Sequence, residues 1–228
     1  MGGAIPRTGA SLGGAPLSLS RTPTAALADH IARFFVTIIE RPADALLDDF
    51  LLHENAYVRV PVVGTWETLI DDRWVGYEGP MLFGAQERRF AVRCRGPIIA
   101  AGFMIRPSAW FSFCDESADQ MADRLLPIGG DWGAALRWAT QDIYDHEQTF
   151  ARLEQVVLER VIVRATPTDP VSATFERDRA RSIPSVPLLR SQRRSACRGG
   201  DSIAPCARIS GICRRRCCAA VGSSIWQR

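Results

Sequence analysis

Residues 56–84 read AYVRVPVVGTWETLIDDRWVGYEGPMLFG. In Tyr57-Val58-Arg59-Val60 polar and apolar side chains alternate, which is the period of a strand with one wet face. Phe90-Ala91-Val92-Arg93-Cys94-Arg95 repeats the pattern. Working outward, β-branched and aromatic runs predict strands over 56–63, 65–70, 81–84, 89–95 and 98–105. Gly64, Asp71-Asp72, Gly76, Gly79-Pro80 and Gly96-Pro97 supply turns between them. Short strands so spaced predict a small antiparallel sheet or barrel.

Helical spacing flanks this core. Thr24 is placed to cap a helix through Leu27, Ile31 and Phe34, although the run 34–39 also suits a strand. Arg41-Pro42 breaks it. Pro107 fits the first turn of a short helix over 108–113. The two best helices are predicted over 131–144 and 147–164, the second with Phe150, Leu153, Val157 and Val161 along one face. Thr166-Pro167 ends it, and Asp169-Pro170 opens a further helix over 171–180. The fold class expected is therefore α+β: a β-rich N-terminal domain followed by helices, then a disordered basic tail.

Composition agrees with a folded body. The chain has 228 residues, 46% hydrophobic and 23% charged, which excludes a wholly disordered chain, a collagen and a coiled coil. Its longest apolar run, 97–105, is flanked by Arg95 and Arg106 and falls short of a membrane span. Residues 1–23 are Gly/Ala/Ser-rich without a signal-peptide core, and read as a disordered leader or a start codon placed too early. A cytoplasmic protein is expected. All 28 basic residues are Arg. Residues 1–176 hold 16 Arg against 23 acids, a net of −7, whereas 177–228 hold 12 Arg against 2 acids, a net of +10. Cys197, Cys206, Cys213, Cys217 and Cys218 crowd the same segment.

Little in this sequence carries catalysis. His30, His53 and His146 form no H-x-H or H-E-x-x-H pair, so a metal-dependent barrel enzyme is disfavoured. No phosphate-binding glycine loop and no Ser or Cys nucleophile signature is present. Asp71-Asp72 reads as turn chemistry rather than an acid–base pair. The tail cysteines fit only half of a zinc knuckle, and Arg214-Arg215-Arg216 reads as a solvated basic run with non-specific attraction for phosphate. No catalytic residue, metal ligand or cofactor is assigned. Trp66, Trp74, Phe83, Phe103 and Trp110 either form core or line an apolar ligand cavity, and Trp66, Trp74 and Trp110 are the candidates for a cavity wall.

Three segments together resemble a known family: GTWETLIDDRWVGYEGPMLFGAQ (64–86), RGPIIAAGFMIRPSAW (95–110) and ADRLLPIGGDWG (122–133). They are similar to the N-terminal sensor half of AraC/XylS-type transcription regulators, over residues 25–165. DPVSATFERDRA (169–180) resembles the linker and first helix of the family's DNA-binding domain. The resemblance implies a sensor domain over 24–165 after the leader 1–23, and a linker with remnant helix over 166–182. It further implies a small-molecule effector, promoter DNA as partner in intact relatives, a homodimer, and no membrane.

The likeness stops near residue 182. A double helix-turn-helix needs more chain than the 58 residues after Pro170, and 183–228 show no helical period. Reading codons one base earlier accounts for the break. Within 190–208 the alternative frame can give VATPVGVSRRRFHRALCQ, and within 209–227 DFGHLPKAVLRRCRFLDMA. Neither string exists in this protein; together they resemble the family's first helix-turn-helix. GC-rich DNA read off-frame also yields Arg, Cys, Ala, Gly and Pro. The expectation is a regulator-derived chain without sequence-specific DNA binding. The alternatives are a stand-alone ligand-binding or interaction module with a functional basic tail, and a cupin-like enzyme. Resequencing the DNA encoding 170–228 and beyond should reveal one inserted or missing base near residue 182, with the neighbouring frame open through a second helix-turn-helix. A neighbouring frame closed by stops would refute the frameshift.

Overall fold

In a computed structural model the backbone is described for residues 5–10 and 16–182. The expected leader residues 1–4 and 11–15 and the tail 183–228, with its cysteines and Arg214–Arg216, lie outside the described residues. Nine strands form an antiparallel sheet: β1 (Ile5–Ala10), β2 (Pro16–Arg21), β3 (Ile31–Ile39), β4 (Leu46–Leu51), β5 (Tyr57–Ile70), β6 (Arg73–Tyr77), β7 (Met81–Phe83), β8 (Phe90–Ile105) and β9 (Leu125–Pro127). Their order is β1-β2-β3-β8-β5-β7-β9, with β4 on β8 and β6 on β5. Helices α1 (Gly130–Ala139), α2 (His146–Arg164) and α3 (Pro170–Ser182) follow. The α+β class, β-rich in its N-terminal part, is what the sequence predicted.

The long pair β5–β8 is the spine. The later part of β8 pairs with β3 on one side and with residues 57–63 of β5 on the other. Its earlier part pairs with β4 and with residues 65–68 of β5. The register slips between Pro61 and Val63 and again between Val63 and Thr65. Gly64 sits at that slip with φ +92°, and a Cβ there would stand 2.2 Å from the Pro97 carbonyl oxygen. Only glycine accepts both that backbone and that approach. The turns expected at Gly64 and at Gly96-Pro97 are therefore bulges inside continuous strands. Neighbouring strands attach on either side of them, β7 and β6 along β5 and β3 and β4 along β8.

Alternation along β8 divides the interior. Ile99, Ala101, Phe103 and Ile105 join the cluster formed with Phe34, Val58 and Val60 of the sheet and Leu136, Phe150, Leu153 and Val157 of the helices. Ile98, Ala100 and Met104 face the opposite cluster, with Tyr57, Trp66, Tyr77 and Phe83. A strand covered on both faces reads as one apolar run, which is why 98–105 shows no alternation. The predicted face of α2 is real: Phe150, Leu153 and Val157 are buried and Val161 packs at the edge.

Several expectations are corrected. The helix from Thr24 is a single 3-10 turn, Ala25–Leu27, and the chain is already strand at Ile31; pairing with β8 outweighs helical spacing. Leader residues Pro16–Arg21 are strand β2, paired with β3. Arg21 is buried there, bonded to Glu147 and Glu154 of α2 at 3.4 and 3.1 Å, with Phe150 beneath its guanidinium. Gly76 lies inside β6 rather than in a turn. Strand β4 (LLDDFL) is an edge strand whose exposed face hid its period. Helix α1 ends at Ala139, five residues early, where the Thr140 hydroxyl takes up the Leu136 and Arg137 carbonyls. Asp71-Asp72 does form a two-residue hairpin tip, both residues at positive φ. Asp169 caps α3, accepting the Ser172 amide at 2.9 Å.

Gly102 of β8 gives a sharp test of the spine. A Cβ there would meet the Val58 carbonyl oxygen at 2.0 Å and the Phe35 ring at 2.8 Å. Gly102→Ala should cost about 3 kcal/mol or more in urea unfolding. Gly76→Ala, whose nearest neighbour is 3.9 Å away, should change stability by less than about 0.5 kcal/mol.

Candidate functional site

The face of the sheet away from the helices carries the molecule's concentrated chemistry. The bulges bring rings from both halves of the sheet together. Tyr57 and Phe83 stack at 4.6 Å and nearly parallel, Tyr77 meets Phe83 edge-on at 5.9 Å, and Trp66 lies 6.3 Å from Tyr77. Arg59 enters among them, two residues along β5 from Tyr57 and so on the same face. Its guanidinium carbon is 5.3 Å from the Tyr57 ring, 5.2 Å from Trp66 and 5.7 Å from Phe83. Among the described residues no carboxylate lies within ion-pair distance of Arg59.

The polar atoms here are unusually ill-served. The Tyr57 and Tyr77 hydroxyls and Arg41 Nη1 are buried without a partner in hydrogen-bond geometry. Gln86 lies near Tyr57 and Arg59 near Tyr77. Burial raises both phenols above their ordinary range, so they stay protonated donors. Burial pushes the Cys94 thiol up to about 11, opposed by the charges of Arg59 and Arg41; it is no thiolate nucleophile at neutral pH. At the other end His53 sits edge-on to Tyr57 at 4.7 Å. Burial, then the Arg59 and Arg33 charges, lower its pKa to about 4.

The three tryptophans proposed as a cavity wall are not brought together. Trp66 is in this interior, 4% exposed, its indole N–H donating to the Val63 carbonyl at 3.2 Å. Trp74 lies under the Arg93 guanidinium at 4.1 Å, outside both core clusters. Trp110 is buried in the helix-side core, bonded to the Glu116 carbonyl at 2.6 Å. Sequence reasoning missed Arg59, Tyr57 and Tyr77. The signal was present in Tyr57-Val58-Arg59-Val60: the strand period that buries Val58 and Val60 on the helix side sends Tyr57 and Arg59 to the other.

A second concavity of about 320 Å³ opens between the β7–β9 edge and the helices, lined by Phe113, Leu126, Trp132 and Arg160 among others. Arg160 stacks on Trp132 at 4.5 Å, and Arg160 Nε and Trp132 Nε1 are buried without partners. Asp115 and Glu116 also line it, so its charge is mixed. Among the described residues no group of three or more His, Cys, Asp or Glu is placed to hold a metal. No helix among them is long and apolar enough to cross a membrane.

No family model matches this chain, and no curated protein matches it. Among solved structures it is similar to the crystal structure of the AraC-like transcriptional activator CuxR, at 13% identity and a TM-score of 0.30. That likeness covers 76% of this chain and 73% of the other.

His53 supplies a pH test of this interior. Its folded pKa lies below the ordinary 6.5, so the stability it contributes is complete above pH 6.5 and is lost as pH falls toward 4. The loss approaches about 2–3 kcal/mol at the acid end. Between pH 7 and pH 4.5, His53→Asn should lose visibly less unfolding free energy than the unaltered chain, measured by urea titration at each pH.

Proposed function

We propose that residues 24–165 are the ligand-sensing domain of a transcription regulator of the AraC/XylS type, and that the chain binds rather than catalyses. The observation that supports this best is the aromatic interior around Arg59. It is cationic and only partly accessible, and it offers donors. Cys94 keeps its proton, and His53, its pKa lowered to about 4, is a weak base. The resemblance segments also converge on it. Residues 64–86 run through β5, β6 and β7, residues 95–110 include most of β8, and 122–133 include β9, which pairs with β7. The effector is a small molecule, and the chain works in the cytoplasm.

The DNA-binding half is proposed to be lost by frameshift. Helix α3 corresponds to the linker and first helix, and beyond it the Arg- and Cys-rich composition is that of off-frame GC-rich codons. In an intact relative a recognition helix reads base edges in the major groove, held by its partner helices. One helix without them cannot fix that geometry, so sequence-specific binding is absent here.

A gel shift with DNA from upstream of the chain's own gene tests both halves. At physiological salt the chain as it stands should give no specific complex, and a chain expressed with the frame restored should give one. Specific binding by the present chain, abolished by truncation at residue 182, would overturn the reading in favour of a module with a functional basic tail.

A further inference from the structure

We propose that the interior around Arg59 is built for an organic anion: a small molecule whose carboxylate is held by Arg59 and the Tyr57 and Tyr77 hydroxyls, with a flat apolar body against the aromatic rings. This rests on the sensor reading above and goes beyond it by fixing the chemical class of the ligand.

The charge balance comes first. An enclosed guanidinium is costly unless an anion or several acceptors meet it. Arg59 is only partly accessible, and the groups that act on it are Tyr57, Tyr77 and Cys94, all of them protonated. The charges of Arg59 and Arg41 both act on Cys94, and those of Arg59 and Arg33 both act on His53. The acids nearest Cys94 are already engaged: Asp48 takes Arg93 with two bonds of 2.8 Å, and Asp49 accepts the Phe50 amide at 2.8 Å. Three rings recover part of the cost of Arg59 by cation–π attraction. The Tyr77 hydroxyl, a neutral group, is the acceptor that acts on its N–H groups.

Room and geometry come second. Arg59 keeps accessible surface while Tyr57, Val58 and Val60 around it on β5 are buried. Donors gather about that surface: the planar fork of Arg59 and two protonated phenols whose hydroxyls lack a partner in hydrogen-bond geometry. A carboxylate is the complement, being acceptor-only and planar, with lone pairs enough for a fork and two hydroxyls. The parallel Tyr57 and Phe83 rings and the Trp66 indole present flat faces to whatever body the carboxylate carries. The mixed charge of the concavity at Trp132 and Arg160 does not select an anion in this way.

Titrate the full chain with benzoate, cinnamate and hexanoate, and with benzamide and cinnamamide as uncharged counterparts, following Trp fluorescence and heat. The carboxylates should bind about tenfold or more tighter than their amides, consistent with charge-assisted hydrogen bonds, with the planar acids ahead of hexanoate. Arg59→Met should erase that preference and Arg59→Lys keep part of it. Should Arg59→Met fail to fold, Tyr77→Phe removes only a hydroxyl and should weaken the acids several-fold while sparing the amides and the melting temperature. Amides binding as well as acids would overturn the anion proposal and leave the sensor reading standing. No binding by any probe, acid or amide, would overturn both.

Discussion

The close contact of Gly64 with the Pro97 carbonyl holds the architecture together. β5 and β8 are the only described strands long enough to serve two sets of neighbours, and they stay paired through the bulges at this point. Beyond it in one direction β3 and β7 attach; in the other, β4 and β6. Had the chain turned at Gly64 and at Gly96-Pro97, two small sheets would have formed. Each would have lacked a second layer for its aromatic face. The bulges instead let one continuous ladder present Tyr77 to Phe83 and Trp66 to Arg59.

That arrangement gives the sheet two faces of opposite character. The helix side is sealed by α1 and α2 with aliphatic and phenyl groups, and its charges are paired at the border: Arg21 with two glutamates, Arg152 with Asp142, Arg164 with Asp115. The other side holds a guanidinium, two phenols, a thiol and an imidazole, and among the described residues no carboxylate is within ion-pair distance of Arg59. In a sheet that served stability alone, an apolar residue at position 59 would fill this space at lower cost. Retaining arginine there makes physical sense for a protein that meets an anion in that space.

The end of α2 has a physical cause as well. α2 ends on Ala165 in the left-handed conformation, and Thr166-Pro167 cannot continue it. The short segment after it is nevertheless fastened. The Asp169 amide donates to the Ser108 carbonyl at 2.7 Å, and Glu176 of α3 takes the Ser108 amide and Arg106. The residues 106–108 that receive it directly follow β8, the strand that lines the Arg59 interior. A change felt along β8 thus has a short covalent and hydrogen-bonded route to α3.

The sequence by itself determined the class of fold and the strong local elements. Alternation in Tyr57-Val58-Arg59-Val60, the turn residues Asp71-Asp72, the apolar stripe of α2 and the Asp169-Pro170 start are all encoded within a few positions, because backbone propensity and side-chain period act locally. The break in charge and cysteine content near residue 180 was equally plain. Tertiary structure decided what depends on distant pairing. Glycine signals a turn or a bulge alike, and only the Pro97 carbonyl facing Gly64 makes it a bulge. Leu17-Ser18-Leu19-Ser20 alternates over only four residues in a Gly/Ala/Ser-rich stretch, and β3 beside it and two glutamates on α2 make it part of the fold. Arg59 was visible as a strand residue. That it stands among three aromatic rings and no acid follows from strands that meet in space, since a charge's environment is set by neighbours that the chain brings from far away.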